Sequence, residues 1–279
     1  KLRYQAEVRF FRGYYYFNLV RWFGGVPKVL KVPLDAYEAN NDPVYQTRAT
    51  PDEIYALIIE DLTFAKENLL IKGVMPVGRV TKGTATAMLA KVYLTRKNWQ
   101  EAYTLSQEVI SSGSYSLLPD YSEIWRQVGD RSNEAIFEVQ TGVYNNSDYG
   151  VPNYCVWQGP RVGGLQGWTD LGFGFNSPSQ NLVNDYEAGD KRKESTIIFI
   201  DQSPQHVGTV LFDGFRIPSQ DSVANPRYNY KAYHSENKEV ESFLGNRKRK
   251  QKNIHLLRYA DVILMAAEAA NELGNSGES

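Results

Sequence analysis

The stretch 78–113, GRVTKGTATAMLAKVYLTRKNWQEAYTLSQEVISSG, constrains this chain more than any other. Ala85, Met88, Leu89, Val92 and Tyr93 fall at i, i+3, i+4, i+7 and i+8, which places them on one face of an α-helix. Lys97 and Asn98 interrupt the pattern, and a second face follows at Trp99, Ala102, Tyr103, Ser106, Val109 and Ile110. Gly113 stands where a helix C-terminus favours a residue that tolerates positive φ. Helices joined by so short a link fold back antiparallel with their apolar faces together.

The order Leu89, Ala90, Tyr93, then Trp99, Glu101 and Ala102, is similar to one tetratricopeptide repeat. The small residues allow close approach, and Tyr93 and Trp99 are expected to fill the gap between the helices. One such pair cannot bury its outer faces, so the rest of the chain has to supply more helices. Residues 2–22 do so with Leu2, Ala6, Phe10, Gly13, Tyr14, Phe17 and Arg21 along one side, stopped by Gly24, Gly25 and Pro27. Thr50, Pro51, Asp52 and Glu53 form a helix start with a capping box, followed by the stripe Ile54, Leu57, Ile58, Leu62, Ala65 and Leu69. Leu256, Leu257, Ala260, Ile263, Leu264 and Ala267 predict a last helix, with Gly274 as its stop. It reads as the first helix of another repeat. The stretch 26–50 reads as irregular.

The middle of the chain is different. Residues 135–140 (AIFEVQ) predict a strand, 178–187 a short helix and 196–200 a β-rich run. Between 141 and 176 stand eight Gly, seven aromatics and only Asp148, Arg161 and Asp170 as charges, with no helical period. Long loops on rigid scaffolds are where binding concentrates.

Composition excludes several function classes. The formal net charge of −1 gives no global field for nucleic acid, and Arg247, Lys248, Arg249 and Lys250 lack aromatic interleaving and read as a solvated loop. Cys155 is the single cysteine, so there is no internal disulfide and no cysteine metal site. His206, His234 and His255 are scattered without ligand spacing, no phosphate loop is present, and no glycosidase pair of carboxylates stands out. No catalytic residue and no cofactor is assigned. Asp and Asn in 141–176 suggest a structural Ca²⁺ at most, without calcium-loop spacing. The chain opens inside a helical pattern without an initiator Met and reads as an excerpt of a longer protein, truncated at both ends.

Several blocks together resemble the SusD/RagB family of outer-membrane nutrient-binding lipoproteins. They are EVRFFRGYYYFNLVR at 7–21, FGGVP at 23–27, IIEDL at 58–62, GRVTKG at 78–83 running into LAKVYL at 89–94, NEAIFE at 133–138, GDKR at 189–192 and LRYADVILMAAEA at 257–269. The resemblance covers most of the chain except roughly 30–50, 141–176 and 201–253. It implies a single, mostly α domain over 1–279 with tetratricopeptide-like helical pairs. The scaffold lies at about 1–125 and 254–279, and a loop-rich ligand-binding subregion with short strands at about 126–253. It further implies non-catalytic binding of an oligosaccharide or polysaccharide and delivery to a partner TonB-dependent (SusC-like) transporter. The site would be the extracellular face of the outer membrane, anchored through an N-terminal Cys that would lie before Lys1.

The residues expected to bind are Tyr144, Asn145, Asn146, Asp148, Tyr154, Trp157, Gln158, Arg161 and Trp168. Sugar C–H faces stack on Trp and Tyr rings, while amides and charged groups take the hydroxyls. The same aromatics equally serve to pack the loops on the helices. Tyr37, Asn40, Asn41 and Tyr45 are a second candidate set, or a solvated linker; Trp22 reads as core or helix-end packing. A protein-interaction scaffold without small ligand, a binder of another nutrient such as a peptide, and a carbohydrate-active enzyme remain the competing readings.

Overall fold

The structure is a computed structural model. It describes residues 1–141, 154–161, 172–200, 208–217, 225–235, 238–239 and 252–274. The chain divides into two compact units: a helical unit of residues 1–116 and 257–279, and a loop-rich unit of residues 117–256.

In the helical unit, α1 (Leu2–Phe23) packs on α3 (Pro51–Asn68), with α2 (Ala36–Asn41) in the connection. The hairpin α4 (Lys82–Thr95) and α5 (Trp99–Ser111) follows. Thr50 and Glu53 close the expected capping box, and Thr81 with Thr84 closes a second at the start of α4. The stripe of α3 is buried as read from its spacing, with one addition, Asp61, which is 0% exposed. Arg12 grips it with two hydrogen bonds, Nε to Oδ2 at 2.6 Å and Nη2 to Oδ1 at 2.7 Å. Gly13, one residue on, lets α1 close on α3: a Cβ there would stand 3.2 Å from Leu62 Cγ.

Three faces differ from the spacing. The buried side of α1 is Ala6, Phe10, Gly13, Phe17 and Val20, while Leu2 is exposed. Trp22, read as core or helix-end packing, is 71% exposed, so it is not part of the core. The helix α4 is buried on nearly every side, because α3 and α5 flank it, so its apolar period understates its burial. Tyr93 and Trp99 are only half-buried rather than filling the hairpin. The stretch 26–50 is not wholly irregular: α2 is capped by Asp35, and a 3-10 turn at Pro43–Tyr45 by Asp42.

The α4–α5 link turns on Lys97, whose φ of 60° is left-handed. A side chain there is strained by about 1 kcal/mol, part of which glycine gives back through its extra unfolded-state freedom. Lys97→Gly is therefore expected to raise stability by about 0.5 kcal/mol in urea unfolding, and a loss would show that the Lys97 stem packs productively.

The loop-rich unit contains β1 (Ala135–Val139), α6 (Tyr154–Gln158), α7 (Gln180–Asp185), α8 (Lys191–Thr196), β2 (Ile197–Phe199) and β3 (Arg227–Asn229). β2 and β3 pair antiparallel, Ile198 opposite Tyr228. Their inner face joins Ile200, Leu211, Ile217, Tyr230 and Tyr233 in one core, with Phe212 and Phe215 against it. Arg126 is buried among these rings, donating from Nη1 to the carbonyls of Tyr230 at 3.0 Å and Tyr233 at 3.2 Å. Buried Lys252 donates to the Tyr233 carbonyl at 2.6 Å and pairs with Glu239 at 3.3 Å.

β4 (Ile254–Arg258) pairs with β1 and leads into α9 (Tyr259–Glu272), which packs on α4 and α5 in the helical unit. Leu256 and Leu257 thus belong to a strand, not to the helix. The buried side of α9 is Val262, Met265, Ala266, Ala269 and Ala270, and Leu264, expected inside, is exposed. The architecture is mostly α with small sheets, as the spacing and the resemblance predict.

Candidate functional site

Within 141–176, where the sequence shows no helical period, the chain forms the short helix α6 after all. Its C-terminal end is laced to residues 173–175. The Phe173 N–H donates to Val156 O at 2.8 Å, Gly174 N–H to Gly159 O at 2.9 Å and Phe175 N–H to Trp157 O at 2.9 Å. The approach is so close that a Cβ on Gly172 would stand 2.7 Å from the carbonyl oxygens of both Val156 and Gly159. Gly174 turns the chain at a φ of +74°.

This lacing assembles three rings. The centroid of Trp157 lies 5.3 Å from that of Phe173 and 6.1 Å from that of Phe175, and the two phenyl rings are 6.3 Å apart. Trp157 and Phe175 are near-parallel, at 28°. Large aromatics normally end up buried, yet these are 52%, 43% and 58% exposed for Trp157, Phe173 and Phe175. A contiguous exposed apolar surface held by backbone bonds is a feature of binding faces.

Polar groups flank the rings. Gln158 Oε1 accepts from Asn176 Nδ2 at 3.0 Å and Asn229 Nδ2 at 2.8 Å, which fixes the amide beside Trp157. Tyr228 donates to the Arg161 carbonyl at 2.6 Å, anchoring the backbone from which the exposed Arg161 side chain extends. Tyr154 is half-buried, and burial, with the Cys155 thiol beside it, pushes its phenol up. Cys155 is fully buried and burial pushes its thiol up as well, which removes it as a nucleophile.

Of the nine residues expected from the sequence, the structure thus brings Trp157 and Gln158 together, with Arg161 beside Gly174, while Tyr154 at the start of α6 lies near Cys155, Asp130 and Glu239. Tyr144, Asn145, Asn146, Asp148 and Trp168 lie outside the described residues, as do His206 and the basic run 247–250. Phe173 and Phe175 were missing from the expected set. Their signal was the run Phe173, Gly174, Phe175, two aromatics around a glycine free to turn the chain. The second candidate set sits in the helical unit, where Asn41 donates to the Tyr37 carbonyl at 2.8 Å and Lys31 bonds Glu38 at 2.7 Å close to the Tyr45 ring. These residues are structured parts of two short helical turns, and Tyr37 remains exposed.

A different group also meets in the loop-rich unit. Asp130, Glu138 and His255, far apart in sequence, each place a ligand atom within 4.8 Å of the others. Burial pushes the Asp130 carboxyl up to about 6 against the pull of the Asn253 N–H, and the Glu138 charge adds to the rise. Burial acts to raise Glu138 too, but the His255 ring and the Arg131 N–H hold it below its ordinary value.

Antiparallel helical pairs in one unit and a loop-rich unit with exposed stacked rings define a tetratricopeptide-like scaffold protein. The chain belongs to the SusD/RagB family. The family description "Starch-binding associating with outer membrane" matches residues 2–94, and "SusD family" matches residues 133–278. The SusD-like protein P2 of Formosa agariphila is 28% identical over 277 residues, covering 96% of this chain and 52% of the relative. The starch-binding protein SusD of Bacteroides thetaiotaomicron is 28% identical over 183 residues, covering 60% of this chain and 31% of that protein. A solved laminarin-binding SusD-like protein superimposes with a TM-score of 0.75 at 28% identity, over 99% of this chain and 60% of that one. The chain spans about half the length, or less, of these curated relatives. The family is one of glycan-binding proteins associated with the outer membrane. Among the described residues, no helix is long and apolar enough to cross a membrane.

Proposed function

We propose that the protein binds a glycan non-covalently through the ring cluster of Trp157, Phe173 and Phe175, and passes it to a TonB-dependent transporter without chemical change. The observation that supports this reading above others is the exposure of the three rings on a rigid backbone. Pyranose C–H faces stack on such rings, and the fixed amides of Gln158 and Asn176 orient hydroxyls beside them. Arg161 stands beside Gly174 at the edge of the face, and Tyr154, Trp168, Tyr144, Asn145, Asn146 and Asp148 are proposed as further ligand contacts. The rings are preorganised, so little ordering is lost on binding, but an open face excludes less water than a pocket and gives modest affinity. The laminarin-binding relative makes β-glucans the first ligands to try, with starch second. Lipid anchoring at the cell surface, through a residue before Lys1, belongs to the same proposal.

Trp157→Ala is expected to weaken retention in laminarin or starch gels by about tenfold or more, corresponding to about 1.4 kcal/mol, with an unchanged circular dichroism spectrum. Phe175→Ala and Trp168→Ala are expected to act in the same direction. Wild-type retention in all three variants would place the site elsewhere. Release of shorter sugars from either polysaccharide by the full-length protein would overturn the non-catalytic reading. Unimpaired glycan uptake in cells lacking the protein would overturn the transport role.

A further inference from the structure

The Asp130, Glu138 and His255 group is built in a way that the glycan face does not require. Each member is oriented by a bond outside the group. Asp130 Oδ1 accepts from the Asn253 N–H at 3.0 Å. Glu138 accepts the Arg131 N–H at 3.0 Å on Oε2 and 3.2 Å on Oε1. His255 Nε2 lies 3.1 Å from the Ile124 carbonyl oxygen. A carbonyl can only accept, so this contact keeps the proton on Nε2 and leaves the lone pair of the neutral ring on Nδ1.

That Nδ1 atom is buried and makes no hydrogen bond, although Glu138 Oε1 stands 3.0 Å away. The two side chains are 9% and 5% exposed, so water does not screen them. A ring proton on Nδ1 would not be directed at Oε1. The lone pair of the neutral ring lies along that same direction, beside Oε1 rather than on it, which is where a cation shared by the two atoms would sit. A separation near 3 Å is also what two donor atoms on one small cation show.

We propose that Asp130, Glu138 and His255 bind a divalent cation of the zinc class. An imidazole nitrogen among the donors disfavours Ca²⁺ and Mg²⁺, which take oxygen ligands, and suits Zn²⁺ together with two carboxylates. A backbone carbonyl on the far nitrogen is the arrangement that orients a metal-bound histidine. Ligand distances of about 2.0–2.2 Å place tetrahedral donors about 3.4 Å apart, so the present spread of up to 4.8 Å contracts on binding. The ion would clip β1, β4 and the turn before Asp130, with the fourth position taken by water. Its role is to hold these distant segments together, separate from glycan stacking.

The test uses the full-length protein with its affinity tag removed and its metals stripped with EDTA. Calorimetric titration with ZnCl₂ is expected to show one bound equivalent. Excess Zn²⁺ is expected to raise the thermal midpoint by about 5 °C. CaCl₂ at the same concentration is expected to leave the midpoint unmoved. His255→Ala and the near-isosteric Asp130→Asn should both lose the zinc-dependent rise, with Asp130→Asn keeping the wild-type circular dichroism spectrum. Absence of zinc binding by the wild-type protein would overturn the proposal. So would a full zinc-dependent rise in both variants, or Ca²⁺ binding as tight as Zn²⁺ binding.

Discussion

Replacing Arg12 with Leu is expected to destabilise the helical unit by about 3 kcal/mol, read as a lower midpoint in urea unfolding followed by far-ultraviolet circular dichroism. The carboxylate of Asp61 is wholly buried and its two short bonds from Arg12 are its main compensation. Removing the guanidinium leaves a charge out of water with only Arg9, at 3.9 Å, as a distant counter-ion. Arg12 itself is 30% exposed, which keeps the expected loss at the lower end of the range for breaking a buried pair. The double change Arg12→Leu with Asp61→Leu is expected to recover most of the loss, because two apolar groups leave nothing unsatisfied. A single variant within about 1 kcal/mol of wild type would show that water reaches Asp61.

Glu239→Gln is expected to cost the loop-rich unit a similar amount, about 3 kcal/mol. The carboxylate accepts the Ser235 N–H at 2.7 Å and the Gln127 N–H at 3.1 Å, and faces the Lys252 ammonium at 3.3 Å. A glutamine offers one oxygen for three donors and removes the counter-charge. Burial already pulls Lys252 below its ordinary value of 10.5, with Glu239 opposing that pull. A lysine with a depressed folded pKa binds more protons when unfolded, so stability rises with pH until the ordinary value is reached. Without Glu239 the pKa falls further and that window extends to lower pH. The variant's rise in stability with pH should therefore begin at lower pH than that of wild type, and coincident pH profiles would refute the coupling.

What could be read from spacing was local. The caps of α3, the stops at Gly113 and Gly274, and the buried stripe of α3 follow from a few neighbouring residues each. Helix faces failed where the sequence is apolar all round. In α9, Ile263, Leu264 and Ala267 compete with Val262, Met265, Ala266 and Ala269, and only the packing of α5 decides which set turns inward. α1 is so rich in aromatics that Trp22 and Phe10 look alike until α3 is in place. The candidate site divides in the same way. Trp157 and Gln158 stood out by residue type, whereas Phe173 and Phe175 join them only through bonds from 173–175 back to α6. Asp130, Glu138 and His255 show no ligand spacing because strand pairing, not sequence proximity, brings them together.

The discontinuity of the helical unit sets an order of events during synthesis. Residues 117–256 are made before α9 exists, and α9 packs on α5 and α4. At about 5–20 residues per second, the side of α5 that packs on α9 waits roughly 7–28 s for its partner. The loop-rich unit has its own core and can fold within that interval. When α9 arrives, Tyr259 stacks on Tyr115 at 6.4 Å between centroids, joining the residues beside the point of departure and the point of return. The last helix to emerge from the ribosome among those described thus completes the packing of α4 and α5.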